Sequence, residues 1–198
     1  MSCTAAILAG GRARRLGGRD KSTLPIAGSR VIDRQIDVLR AVADHLLIVS
    51  NGPDQYADLD LPIVADLIPG AGALGGLYTA LVSSPTPQTL VVACDMPFLS
   101  VAFLKHLVMI GRDVDAAVPR TQEGYEPLCA SYSRDCVGPI RRRIEAGALK
   151  VTSFLGDVRM REIGPDELTG FDPEGTLFLN VNTPDDYARA LNLLDSGP

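Results

Sequence analysis

Leu8-Ala9-Gly10-Gly11-Arg12-Ala13-Arg14-Arg15-Leu16-Gly17-Gly18-Arg19-Asp20-Lys21 begins where an apolar run, Ala5 to Ala9, stops at a pair of glycines. A strand that breaks into glycines exposes backbone N–H groups with no side chain in the way, so a polyphosphate can approach closely. Five Arg and Lys residues fall between Arg12 and Lys21, concentrating positive charge where an anion would bind. Gly10 and Gly11 are therefore candidates for nucleotide binding, and Arg15 and Lys21 for neutralising phosphate charge during catalysis. The loop is not a Walker A motif, because Asp20 rather than glycine precedes Lys21-Ser22. It is not a dinucleotide fingerprint either, because Arg12 stands where the second glycine would be. The plainer alternative is a glycine-rich turn with solvated basic side chains.

On both sides of this loop, apolar runs alternate with amphipathic stretches. The pattern predicts strands at about Thr4–Ala9, Leu46–Ser50, Ile63–Ala65, Leu90–Ala93 and Ala116–Pro119, with helices at about Val31–Val42, Gly75–Ser83 and Val101–Gly111. Ser100 is placed to cap the last of these helices. Further on, a strand is expected near Pro127–Tyr132, a helix near Val137–Ala146 and a strand near Val158–Ile163. Gly164 to Gly175 reads as a loop, and Thr183 caps a final helix with Pro184 first and Asp185 and Asp186 in its opening turn. The alternation implies an α/β fold built on a mostly parallel sheet with helices on both faces. Residues 1–198 form one domain, with no internal repeat or linker.

Composition narrows the function. With 46% hydrophobic and 22% charged residues, the chain has the make-up of a soluble globular protein. A net charge of −5 argues against general nucleic-acid binding. There is no basic leader followed by a long apolar core, and no apolar run reaches the length of a membrane span. Cys3, Cys94, Cys129 and Cys136 are scattered and only two histidines are present, so the expectation is free buried thiols in a reducing cytoplasm rather than a zinc site.

Three further constellations carry chemistry. Ala93-Cys94-Asp95-Met96-Pro97 follows the clearest central strand, and a carboxylate at a strand's carboxyl end facing a phosphate loop is a natural magnesium ligand. Asp95 could equally just open a turn. Asn51 and Asp66 also lie at or just beyond strand ends. A carboxylate can accept from two donors on a guanine edge, whereas an Asn-Gly pair is as often a tight turn. Asn180-Val181-Asn182-Thr183-Pro184 places two amides on one side of an extended segment, for a polar substrate or for capping.

Taken in order, Leu8 to Lys21, Asp66, Gly72-Ala73-Leu74-Gly75-Gly76, Cys94 to Pro97 and Asn180 to Pro184 resemble the motifs of the molybdenum cofactor guanylyltransferases. These belong to the nucleotidyltransferases with a Rossmann-like, doubly wound fold. The likeness spans nearly the whole chain. It implies transfer of GMP from GTP to the phosphate of molybdopterin, with or without its molybdenum, and release of pyrophosphate. It further implies that Leu8, Ala9, Gly10, Lys21, Asn51, Asp66 and Asp95 contact the nucleotide, and that Asp95 holds Mg2+. Transient contacts with other proteins of cofactor biosynthesis would follow. Two positions depart from the pattern: Ala73 replaces a usual proline, and Glu126 replaces a frequent histidine before Pro127-Leu128. Both fall where the second substrate is expected.

Rival readings use the same residues differently. A CTP-dependent molybdopterin cytidylyltransferase, a sugar-phosphate nucleotidyltransferase or a non-catalytic nucleotide sensor would keep the loop. Gly70-Ala71-Gly72-Ala73-Leu74-Gly75 matches G-x-G-x-x-G and Asp95 follows it by a suitable interval, which would suit an NAD-dependent oxidoreductase. Against that, Leu67-Ile68-Pro69 separates the strand from the first glycine, and the basic loop is left without a role.

Overall fold

The computed structural model describes residues 2–10, 15–16, 19–20, 25–26 and 28–195. Among them a seven-stranded sheet runs through the molecule: β1 (Cys3–Leu8), β2 (His45–Val49), β3 (Ile63–Val64), β4 (Gln88–Ala93), β5 (Ala116–Pro119), β6 (Cys129–Ser133) and β7 (Met160–Ile163). The helices are α1 (Val31–Arg40), α2 (Gly72–Ser83), α3 (Val101–Ile110), α4 (Val137–Glu145), α5 (Pro165–Thr169) and α6 (Pro184–Asp195). Strand order across the sheet is β7-β5-β6-β4-β1-β2-β3. All neighbours are parallel except β6, which runs antiparallel to both β4 and β5.

The order explains where a ligand belongs. After β1 the chain builds β2 and β3 on one side, then returns across β1 to lay down β4 on the other. At that reversal the connections leave in opposite directions and open a crevice beyond the carboxyl ends of the strands. Leu8 pairs with Val49 on one flank and with Ala93 on the other, so the segments after β1, β2 and β4 all emerge at one edge. Because β6 is antiparallel, it is the approach to this strand that reaches the same edge; the Ala93 N–H donates to the Leu128 carbonyl at 2.8 Å.

Strand alternation builds the layers. Ala5 and Ile7 of β1 point into a core shared with Ile32, Ile36 and Leu39 of α1 and with Phe103, Leu104 and Leu107 of α3. Ala6 and Leu8 point the other way, against Leu74, Leu77 and Leu81 of α2, Ile140 of α4 and Phe154. A smaller cluster of Ile26, Val31, Val181 and Ala190 fastens α6 beside the sheet. A sheet buried on both faces needs apolar side chains in both registers, which is why the central strands read as unbroken apolar runs.

Several expected boundaries shift. The strand expected from Leu90 starts at Gln88, whose side chain is buried and donates to the Val108 carbonyl at 2.8 Å. The helix expected from Gly75 begins at Gly72. The expected loop Gly164 to Gly175 contains α5, whose Glu167 meets His106 of α3 at 2.6 Å. The caps are as expected at Ser100, which accepts from the Phe103 N–H, and at Thr183, which accepts from the Asp186 N–H. No helix among the described residues is long and apolar enough to cross a membrane.

Candidate active site

A cavity of about 810 Å³ opens at the sheet edge where β1, β2, β4 and the approach to β6 come together. Its wall includes Leu8 at the end of β1, Gly10 just beyond it, Asn51 after β2, Asp66 beyond β3 and Asp95 after β4. Asn180 and Asn182 also line it, although they lie more than 80 positions further along the chain than Asp95. They are carried there by backbone pairing, since the Val181 N–H donates to the Asp95 carbonyl at 2.9 Å. Ala9 is buried within the core beneath the cavity and does not line it.

Asn51 and Asp66 form one unit. The Asn51 Nδ2 donates to the Asp66 Oδ2 at 2.7 Å, and the Asp66 N–H donates back to the Asn51 Oδ1 at 2.9 Å. Asn51 thus orients the Asp66 carboxylate, a role beyond that of a turn residue. Close by, Gly76 of α2 packs against the pair: a Cβ there would make ordinary contacts with the Leu8 Cδ1 at 3.6 Å and the Asp66 Oδ1 at 3.9 Å. Glycine at 72 has a conformational reason, a φ of +61° at the first residue of α2 that a side chain rarely adopts.

Asp95 sits in the turn after β4 and also lines the cavity. The turn is held from below by Gln35 on α1, only 1% exposed. Its Nε2 donates to the Ala93 carbonyl at 2.8 Å and to the Met96 carbonyl at 2.9 Å, one on either side of Cys94-Asp95. On the other side of β4, Glu126 is half-buried in the cavity wall. Burial, with a smaller repulsion from Glu123, pushes its carboxyl up to about 7.

In sequence, residues 5–160 match the model of the MobA-like NTP transferase domain. The chain belongs to the MobA-like NTP transferase family. As a member it is a nucleotidyltransferase. It is 35% identical to the molybdenum cofactor guanylyltransferase of Desulfosudis oleivorans, over 98% of this chain and 96% of that protein. It is 30% identical to the protein of the same name from Syntrophotalea carbinolica, over 94% of this chain and 89% of that one. Among solved structures, the molybdopterin-guanine dinucleotide biosynthesis protein A of Archaeoglobus fulgidus superposes with a TM-score of 0.84 at 28% identity, covering 98% of this chain and all of that one.

Within this nucleotidyltransferase the expected site residues Leu8, Gly10, Asn51, Asp66, Asp95, Asn180 and Asn182 share one cavity. Gly11, Lys21 and the side chain of Arg15 lie outside the described residues. Thr183 and Asp186 close the turn before α6 between them, because the Asp186 Oδ2 accepts from the N–H groups of Asn182 and Thr183 at 3.0 and 2.8 Å. Both departures from the family pattern, Ala73 and Glu126, line the cavity. The NAD alternative loses its geometry, since residues 65–71 intervene between β3 and α2 where a tight strand-to-glycine turn is required. Of the four thiols, Cys3, Cys129 and Cys136 are buried, while Cys94 is only half-buried and lines the cavity. Sequence reasoning missed Gln35. Its one signal was a polar residue on the apolar Ile32-Ile36-Leu39 stripe of α1.

Proposed function

We propose that this nucleotidyltransferase moves GMP from GTP to the terminal phosphate of molybdopterin and releases pyrophosphate. The observation that carries the reading is the Asn51–Asp66 pair at one end of the cavity, in a chain similar over nearly its full length to proteins named molybdenum cofactor guanylyltransferase. Guanine presents a ring N–H and an exocyclic amino group side by side, and one oriented carboxylate can accept from both. Adenine offers an acceptor where guanine offers the ring N–H, which would leave Asp66 without its donor.

An ionised phosphate oxygen of molybdopterin attacks the α-phosphorus of GTP, and the bond from that phosphorus to the bridging oxygen of the β-phosphate breaks. The nucleophile arrives without a proton, so the site needs positioning and charge stabilisation more than a general base. By the resemblance drawn above, the glycines after Leu8 would offer N–H groups to the phosphates, and Arg15 and Lys21 would supply positive charge. Asn180 and Asn182 orient the incoming phosphate.

The residues present fit a divalent cation of the magnesium type. Such an ion is held by one or two carboxylates together with substrate phosphates, and Asp95 provides a carboxylate on the cavity wall. Among the described residues there is no cluster of three ligating side chains, and an ion of this kind takes substrate phosphates and water for the rest of its shell. When bound, Mg2+ would offset charge developing on the phosphate oxygens. Cytoplasmic residence fits this reading, as do transient contacts with proteins that deliver molybdopterin or accept the dinucleotide. Assaying pyrophosphate release with GTP, CTP and ATP, with and without molybdopterin, tests the proposal. Turnover that is strongest with GTP and depends on molybdopterin is expected; turnover with CTP but not GTP would overturn it.

A further inference from the structure

The cavity carries a carboxylate at each end. Asp66 lies beyond β3, whereas Glu126 stands at the approach to β6, with β2, β1 and β4 between them in the sheet. Four strand spacings separate the backbones of β3 and β6, roughly 19 Å at the usual interval between neighbours. The Asp66 carboxylate reaches back toward Leu8 of β1, the Cβ position on Gly76 lying 3.9 Å from its Oδ1 and 3.6 Å from the Leu8 Cδ1. Asp95, after β4, lies between the two carboxylates.

The backbone of Glu126 is pinned: its N–H donates to the Pro119 carbonyl at 2.9 Å, and its own carbonyl accepts from the Cys129 N–H at 3.1 Å. Its side chain makes no hydrogen bond or ion pair among the described residues and is influenced only by burial and by Glu123. Its carboxyl oxygens open onto the cavity, so N–H donors of a ligand would replace water at a group already half out of solvent. Pro127, Leu128 and Val151 line the same cavity and provide apolar surface for a flat ring.

The two substrates of the proposed reaction share one recognition element. A pterin presents the same aminopyrimidinone edge as guanine, a ring N–H beside an exocyclic amino group. Resting on the guanylyltransferase reading, we propose that Glu126 binds the pterin edge of the second substrate while Asp66 binds the guanine edge of the first. The cavity then matches a product with an aminopyrimidinone at each end and with Asp95 between them, one strand from the Glu126 side and three from the Asp66 side.

Glu126→Gln tests this, because the amide keeps the size of the side chain but turns an NH2 group toward the ligand's donors. The variant should fold, since it removes a desolvated carboxyl rather than a satisfied one. Losing a charge-assisted contact should raise the KM for molybdopterin, and weaken its binding measured by pterin fluorescence without GTP, by about ten- to a hundredfold. The KM for GTP and the magnesium dependence should stay within about twofold. Molybdopterin affinity within twofold of wild type would overturn the proposal, as would an equal loss for GTP or a shifted magnesium requirement. If the wild-type enzyme releases no pyrophosphate from GTP and molybdopterin, it is the functional reading that fails. Activity in the wild type with unchanged molybdopterin affinity in the variant is failure of the Glu126 assignment alone.

Discussion

Replacing Gln35 by methionine should loosen the turn that presents Asp95 while leaving the α1 packing volume nearly unchanged. Two hydrogen bonds disappear, those to the carbonyls of Ala93 and Met96 at 2.8 and 2.9 Å. A buried carbonyl deprived of its donor costs about 1–3 kcal/mol, so the pair sets a penalty of roughly 2–6. Part of this is returned, because the Gln35 Oε1 is itself buried without a partner among the described residues. Removing that orphan recovers about 1–3 kcal/mol, leaving a net loss of roughly 1–3. Urea unfolding measures the stability term, and pyrophosphate release across a magnesium titration measures the functional one. With the turn released, the magnesium concentration for half-maximal turnover should rise several-fold, and added magnesium should restore part of the rate. A stability loss of this size with an unchanged magnesium profile would show that the Asp95 turn holds its shape without Gln35. Unchanged stability would show that the two carbonyls find other donors.

Asp95→Asn should fold normally and lose magnesium-dependent turnover, since the amide preserves size and removes charge; near-normal rates at ordinary magnesium would contradict the assignment. Asp66→Asn should lower kcat/KM for GTP by about ten- to a hundredfold with little change for ATP, narrowing the preference between them. An unchanged ratio would take base reading away from Asp66. Glu126 in the folded protein has its carboxyl raised to about 7 from an ordinary 4.5, chiefly by burial. The protonated form therefore favours folding: the benefit is complete below about pH 4.5 and is lost as the pH rises through about 7. After allowance for its partial exposure this amounts to roughly 1–2 kcal/mol, so Glu126→Gln should flatten the stability profile over that interval in urea melts from pH 4.5 to 8. Glu167, held below its ordinary value first by His106 and then by Arg161, acts oppositely. Its contribution is present above the usual carboxylate range and is lost as the pH falls, and Glu167→Gln should reduce the acid sensitivity of unfolding.

Local chemistry made much of this protein legible without coordinates. The runs Ala5 to Ala9 and Leu90 to Ala93 are apolar in both registers because β1 and β4 are buried on both faces, and Ser100 and Thr183 cap helices through contacts only three residues long. Gly10, Asn51, Asp66 and Asp95 could be singled out because each follows a strand, and strand ends in a parallel sheet gather at one edge. What the chain alone could not decide was how partners distant in sequence meet. The pairing of Asn51 with Asp66 depends on β2 and β3 lying side by side, and the tether from Gln35 to the Asp95 turn spans about 60 positions. The position of Glu126 across the cavity from Asp66 follows from β6 entering antiparallel beside β4, a choice made by sheet pairing and not by any local propensity. Hydrogen bonds and burial across such separations exist only once the strands are in register, so the orientation of Asp66 and the desolvation of Glu126 are properties of the assembled fold.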